Sequence, residues 1–134
     1  GLSSWGETAD GSVALIIILD QFPLNMFRGK AKGFKTESIA VEVALNAIDN
    51  GFDEEMDNEK LLFLFMPLMH SENLDHQNLQ VYLFEKYNFN LDFSKHHRDL
   101  VKKFGRFPHR NEILGRMSTM EELDYLLSDN AFRG

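Results

Sequence analysis

The chain has 134 residues, of which 43% are hydrophobic and 26% charged, and it contains no cysteine. This length supports one hydrophobic core. The absence of cysteine excludes disulfides, a thiol nucleophile and a cysteine-based zinc site, and fits a reducing cytoplasm. The net charge of −7 argues against nucleic-acid binding, which requires a basic surface.

Membrane insertion is not indicated. The longest unbroken apolar run, residues 13–19, has seven residues, whereas a helix needs roughly 20 to span a bilayer. The run also lacks the basic flank and small-residue cleavage site of a signal peptide. We therefore expect a soluble cytoplasmic protein.

In the first half of the chain, hydrophobic periodicity predicts three apolar elements. Residues 12–21 are apolar, but this pattern fits a helix or a buried strand equally well. Residues 36–50 repeat apolar side chains at helical spacing and end at Gly51, a typical helix stop. A third apolar run, residues 61–66, leads to Pro67, which we expect to bend or end its helix.

In the second half, the pattern predicts three more helices. Residues 73–87 form one, and residues 92–104 carry a continuous apolar stripe that includes His97 and ends at Gly105. A last helix begins at Ser118 or Thr119, with Ser118 and Glu121 as a capping box. The side chains predicted to be buried on it are Met120, Leu123, Leu126 and Leu127.

The sequence thus predicts an all-α fold of about six helices joined by short loops, which favour antiparallel helical hairpins. No strand pair with hairpin-type turns competes with this interpretation. We expect one helical domain over residues 1–134.

Arginines concentrate around the Gly105 turn, since four of the six lie within residues 98–116. Arginine offers a planar, bidentate fork that suits buried carboxylates, helix ends and phosphate. One interpretation is structural: the forks cap helices and bind Asp20, Glu72 or Asp99. The other is a site for an anionic ligand. The sequence favours the structural role, because buried charges must be paired.

The sequence contains no recognised motif for metal binding, for a catalytic serine or for phosphate binding. No His-x-x-x-His pair is present, no Gly-x-Ser-x-Gly elbow surrounds a serine, and residues 29–33 lack the spacing of a phosphate-binding loop. A histidine on an apolar helix face, such as His97, is usually a satisfied core group. We predict no metal and no cofactor, and the sequence favours a non-enzymatic protein while leaving an enzyme open.

Several short sequence blocks occur in this chain in a fixed order that is known from a protein family. They are DQFPLNMFRG (20–29), PLMHSE (67–72), GRFPHRN (105–111), ILGR (113–116), ST (118–119) and EE (121–122). In this order they resemble the bacterial family called domain of unknown function 924. The resemblance implies a tetratricopeptide-like all-helical fold and no established activity. It also implies that some fifty residues usual at the start of the family's domain are missing, so this chain corresponds to a C-terminal portion.

Two hypotheses follow for function. The first is a protein- or peptide-binding or scaffold module, since helical hairpins present concave surfaces to peptides. Self-association through the face left by the missing N-terminal part is a further possibility. The second is a polar pocket of His, Arg, Asp and Glu side chains that binds an anionic small molecule or serves a hydrolase-type enzyme. Its candidate residues are Asp20, Arg28, His70, Glu72, His97, Arg98, Arg106, His109, Arg110 and Asn111.

Overall fold

The structure, a computed structural model, describes residues 7–18 and 37–132, and these residues are all-helical with no strand among them. They contain six α-helices and two short 3₁₀ turns. The α-helices are α1 (Ala9–Ile16), α2 (Glu37–Asp49), α3 (Asn58–His70), α4 (Leu74–Lys86), α5 (Leu91–Phe104) and α6 (Met120–Leu126). The all-α prediction is confirmed.

The chain divides into two compact units, with the boundary among the described residues between Ser71 and Glu72. The single domain predicted over residues 1–134, and its correspondence to a C-terminal portion of the family's domain, stay predictions.

In the first unit, α1, α2 and α3 pack against one another. Ala40, Ala44 and Ala47 form the fully buried face of α2, and their small side chains allow neighbouring helices to approach closely. Helix α1 settles the ambiguity between helix and strand for residues 12–16 in favour of a helix. It begins earlier than predicted because the Thr8 hydroxyl caps it, accepting a hydrogen bond from the Gly11 N–H at 3.0 Å.

Of the two outcomes expected at Pro67, a bend or an end, the end is wrong, because α3 continues through Pro67 to His70. A bend at Pro67 stays a prediction. Proline removes one backbone hydrogen bond. Burial of the side chains on either side, including Phe65, Leu68 and Met69, compensates for that loss.

In the second unit, α4 and α5 form the helical hairpin that the pattern predicted. Asn73 caps α4 and Asn90 caps α5, each through its side-chain oxygen. The turn between the helices brings Gln80 and Ser94 together inside the hairpin. The Ser94 hydroxyl donates to Gln80 Oε1 at 2.6 Å, and Gln80 Nε2 donates to the Ser94 carbonyl at 2.8 Å. These fully buried polar groups fix the register of the two helices.

Helix α5 ends at Gly105 as predicted, with a φ of 75° that glycine adopts without strain. The chain then forms the 3₁₀ turn Pro108–Arg110, a second turn at Gly115, and α6. Leu100, Val101 and Phe107 are the core of this part, with Phe104, Tyr125 and Phe132 packed against them.

Helix α6 departs from prediction in its cap and in its buried side. Thr119, not Ser118, caps it, and Glu122 completes the capping box. The predicted buried side is wrong for three of its four residues: Met120, Leu123 and Leu127 are 76%, 43% and 84% exposed, while Leu126 is partly buried and Glu122 is 1% exposed. The physical reason is that an ion pair inside the fold determines which side of α6 faces inward.

Candidate functional site

The polar centre of the second unit is built around two carboxylates, Glu72 and Glu122. Glu72 directly precedes α4 in the chain, and Glu122 lies on the inner side of α6. The Gly105 and Gly115 turns place arginines beside both. We call Glu72, Arg106, Asn111, Arg116 and Glu122 the carboxylate–guanidinium network.

Glu72 is bound by a bidentate arginine fork and by the backbone. Arg116 Nη1 and Nη2 donate to its two oxygens at 2.8 and 2.9 Å, and the Phe107 N–H donates at 2.6 Å. Burial would raise the pKa of Glu72. The hydrogen bonds from Arg116 and Phe107 outweigh burial and hold this pKa below its usual value. The Glu72 carboxylate therefore links the start of α4 to Phe107, 35 residues later in the chain, and to Arg116, 44 residues later.

Glu122 is held in the same way by Arg106. Arg106 Nε and Nη2 donate to the two carboxylate oxygens at 2.9 and 2.8 Å, and Nη2 also donates to the Met117 carbonyl at 2.7 Å. The carboxylate accepts the Thr119 N–H at 2.9 Å as part of the capping box. The hydrogen bond from Arg106 lowers the pKa of Glu122 to about 2, although burial acts in the opposite direction.

Asn111 ties the segments between the two carboxylates together. Its Oδ1 accepts from Arg116 Nε at 3.1 Å, and its Nδ2 donates to the Ser118 hydroxyl at 3.0 Å. The side chain is 1% exposed. Ser118, predicted as a helix cap, is thus a partner of Asn111.

An imidazole–aromatic cluster joins Phe93 and His97 of α5 to Phe107, His109 and Phe132, and Phe93 in it remains 49% exposed. The Phe132 ring packs edge-on against both imidazoles, with centroids 4.6 Å from His97 and 4.8 Å from His109. His97 Nδ1 is 3.0 Å from the Phe93 carbonyl oxygen. His97 is 3% exposed, which confirms the inward orientation predicted from its position on the stripe.

His109 differs from His97 because its buried Nδ1 has no hydrogen-bond partner among the described residues. Burial, reinforced by the charge of Arg110, lowers the pKa of His109 to about 4. The side chain is therefore neutral at physiological pH. Arg110 itself stacks over the Phe107 ring, with its guanidinium carbon 4.9 Å from the ring centroid.

The structure brings together part of the predicted pocket. Glu72, Arg106 and Asn111 belong to the carboxylate–guanidinium network, while His97, His109 and Arg110 lie in or against the imidazole–aromatic cluster. Arg98 pairs instead with the exposed Asp99 at 2.6 Å. His70 is the last residue of α3, in the first unit. Asp20 and Arg28 lie outside the described residues.

The sequence-based pocket missed Glu122 and Arg116 as members. The Thr-x-x-Glu spacing of the capping box at 119–122 indicates Glu122, but Ser118 and Glu121 have the same spacing, so the sequence does not distinguish the two pairs. The contact of Phe132 with the two histidines carried no sequence signal, because it depends on how the segment after α6 folds back.

The outer side of α6 is apolar and solvent-facing. We call its four side chains, Met117, Met120, Leu123 and Leu127, the α6 apolar face; they are between 43% and 89% exposed. Glu121, Asp124 and Asp129 are exposed beside them. The position of these apolar groups follows directly from the inward position of Glu122.

Within residues 7–18 and 37–132, no group of three or more histidine, aspartate or glutamate side chains is arranged to hold a metal ion. No helix in this described part of the chain is long and apolar enough to cross a membrane.

The all-helical chain matches a bacterial family whose description assigns it no function. The family model described as "Bacterial protein of unknown function (DUF924)" matches residues 1–130, and the chain belongs to this family. A solved protein of unknown function from Agrobacterium tumefaciens is 40% identical, with a TM-score of 0.89. The match covers 94% of this chain and 72% of that chain. No curated protein matches the sequence.

Proposed function

We propose that this chain is a non-enzymatic protein-interaction module that contacts its partner through the α6 apolar face. The observation that carries the proposal is the orientation of α6. Glu122, a charged residue, is 1% exposed, while Met120 and Leu127 are 76% and 84% exposed. A helix with its carboxylate inside and its apolar groups outside presents a binding surface.

The carboxylate–guanidinium network explains how this orientation is maintained. Turning Met120 and Leu127 inward would move Glu122 out of reach of Arg106, leaving both charges without their bidentate bonds. Removing one partner of such a pair is costly, because the other charge loses its compensation. The arginine-rich turn is therefore a support that presents α6, consistent with a scaffold role.

Four large apolar side chains in one stretch are also unusual on a protein surface. Single exposed hydrophobic residues are normal, but contiguous apolar patches mark interaction sites. Covering the α6 apolar face with a partner would remove this area from water, and that burial would drive the association.

The second candidate is a pocket for an anionic small molecule near the Gly105 turn. The unpartnered Nδ1 of His109 favours it, because a buried polar atom ordinarily has a partner. Against it, Arg106 and Arg116 already bind Glu122 and Glu72 through two bonds each. An anion would have to displace a carboxylate. Phosphate titration followed by amide chemical shifts tests this candidate; shifts at residues 105–116 would support it.

The cytoplasm is the proposed location, on the basis of the absence of cysteine in the 134 residues. A reducing compartment neither requires nor favours disulfides. In the second unit, ion pairs rather than disulfides hold the Gly105 and Gly115 turns in place.

Site-specific photo-crosslinking in the native cell tests the interaction module. A benzophenone amino acid replaces Met120, and in a matched control it replaces Tyr82, which is 61% exposed on α4. We expect a discrete crosslinked product from position 120 that is absent from position 82 and is lost when Leu127→Ser is added. Absence of a product at position 120, or the same product at both positions, would overturn the proposal.

A further inference from the structure

We infer that the occupant of the α6 apolar face is an amphipathic helical segment of another protein whose apolar stripe is bordered by Lys or Arg. This inference rests on the proposed function and specifies its partner. It is carried by the charges around the face and by the spacing of its apolar groups.

The exposed charged side chains on α6 and directly after it are acidic, and the basic neighbour seen at the other end of the face is Arg106, which donates to the Met117 carbonyl. Residues 117–130 contain four acids and no lysine or arginine. Arg106 neutralises one of them, the buried Glu122. The remaining three, Glu121, Asp124 and Asp129, are exposed. Interfaces place opposite potentials against each other, which speeds encounter and excludes wrong partners. An acidic border around an apolar centre therefore selects a basic border around an apolar stripe.

The spacing of the apolar groups fits a helical partner. Met120, Leu123 and Leu127 follow one another at three and four residues, so they lie on one side of α6 and its C-terminal cap. Met117 precedes the helix and its Thr119 cap. Helix α6 has seven residues, which corresponds to about 10 Å of helix. A partner helix laid along it would contact the stripe through about two of its own turns. The two methionines adapt to different partner side chains.

A second copy of this chain is a poorer occupant. In a symmetric pair, the same patch meets itself. Since residues 117–130 contain no basic residue, these stretches of two copies would set acid against acid, and the neighbouring Arg106 is already bound to Glu122. Each copy also carries a net charge of −7. Repulsion between like borders would oppose such a dimer.

The test uses the full chain and two labelled model peptides of equal length. One is a Leu/Lys amphipathic helix and the other a Leu/Glu helix with the same apolar pattern; binding is followed by fluorescence anisotropy. We expect the Leu/Lys peptide to bind about tenfold more tightly, with an affinity that falls as salt is added. The double variant Met120→Ser/Leu127→Ser should abolish binding, whereas Tyr82→Ser should leave it unchanged.

A charge reversal isolates the acidic border. Asp124→Lys should weaken binding of the Leu/Lys peptide about threefold or more, while Glu85→Lys, at an exposed acid on α4, should have a smaller effect. Circular dichroism confirms that the variants fold. Equal binding of both peptides, no binding of the Leu/Lys peptide, or equal effects of the two reversals would overturn the inference. So would a dimer of the chain that disappears with Leu127→Ser. The crosslinking experiment at position 120 tests the proposed function independently, because it detects a partner at the α6 apolar face whatever the charge of that partner.

Discussion

Glu122 and Arg106 form a bidentate ion pair, at 2.8 and 2.9 Å, in which the carboxylate is buried and the guanidinium is partly open to solvent. The two residues are 16 positions apart. Their pairing fastens α6 to the turn after α5, and it determines that the apolar side chains of α6 face outward. Stability and the proposed interaction therefore depend on the same contact.

Glu122→Gln should destabilise the protein by about 2–3 kcal/mol, because the buried charged hydrogen bonds to Arg106 and Thr119 are weakened and the guanidinium loses its counter-charge. Urea unfolding followed by circular dichroism measures the change. The control is Glu121→Gln, at the exposed neighbouring position, where a change within about 0.5 kcal/mol is expected. Equal effects of the two substitutions would contradict the central role of Glu122.

Arg116→Lys should cost about 2 kcal/mol, although it preserves the charge. Lysine cannot reproduce the fork that binds both oxygens of Glu72, nor the additional bonds from Arg116 to Asn111 and the Phe107 carbonyl. Arg98→Lys is the matched control, because Arg98 pairs only with an exposed neighbour in the contacts described above. Such pairs contribute about 0–1 kcal/mol. A loss at Arg116 no larger than that at Arg98 would refute the geometric argument.

Acid should unfold the second unit over a defined pH range. The pKa of Glu122 is about 2 in the folded state and about 4.3 in an unfolded chain. The unfolded state therefore binds the proton first as pH falls. The stability contributed by ionised Glu122 is complete above about pH 4.3 and is lost as pH falls towards 2. Glu72, whose pKa is also lowered, acts with the same sign. Unfolding free energies across this range should fall less steeply in Glu122→Gln than in the parent chain.

His109 should add a separate pH dependence at higher pH. Its folded pKa is about 4, against about 6.5 when unfolded, so only the unfolded state takes up the proton between these values. Stability then falls with decreasing pH from about 6.5 to 4, by at most about 1.4 kcal/mol per pH unit. His109→Gln should remove this slope, while the loss of stability below pH 4 that is due to Glu122 should remain. A slope that persists in the variant would assign it to another group.

Met120→Ser and Leu127→Ser should each change the unfolding free energy by less than about 0.5 kcal/mol, because both side chains are largely exposed. This outcome separates the observed orientation of α6 from the one that its sequence pattern predicts. Leu100→Ser, at a buried position on α5, supplies the contrast and should be strongly destabilising. A loss of about 2 kcal/mol or more at Leu127 would show that the face is buried.

The sequence determined the helices after the first and most of their ends, because these depend on local periodicity, capping side chains and the Gly105 stop; for residues 12–21 it left helix and strand open. It also favoured arginines bound to Asp20, Glu72 or Asp99, of which Glu72 binds Arg116 and Asp99 pairs with Arg98, and it predicted that His97 would face inward. These predictions succeed because helix geometry alone places residues three and four apart on one side, and because a buried charge requires a partner.

Only the tertiary structure decided which partners meet and which way α6 faces. The apolar residues of α6 have the spacing of a buried stripe, yet Glu122 occupies the inner side because Arg106 lies there to receive it. Likewise, Phe132 reaches His97 and His109 only through the path of the chain after α6. Contacts between residues 16 or 44 positions apart leave no periodic trace in the sequence, since they arise from the packing of separate elements.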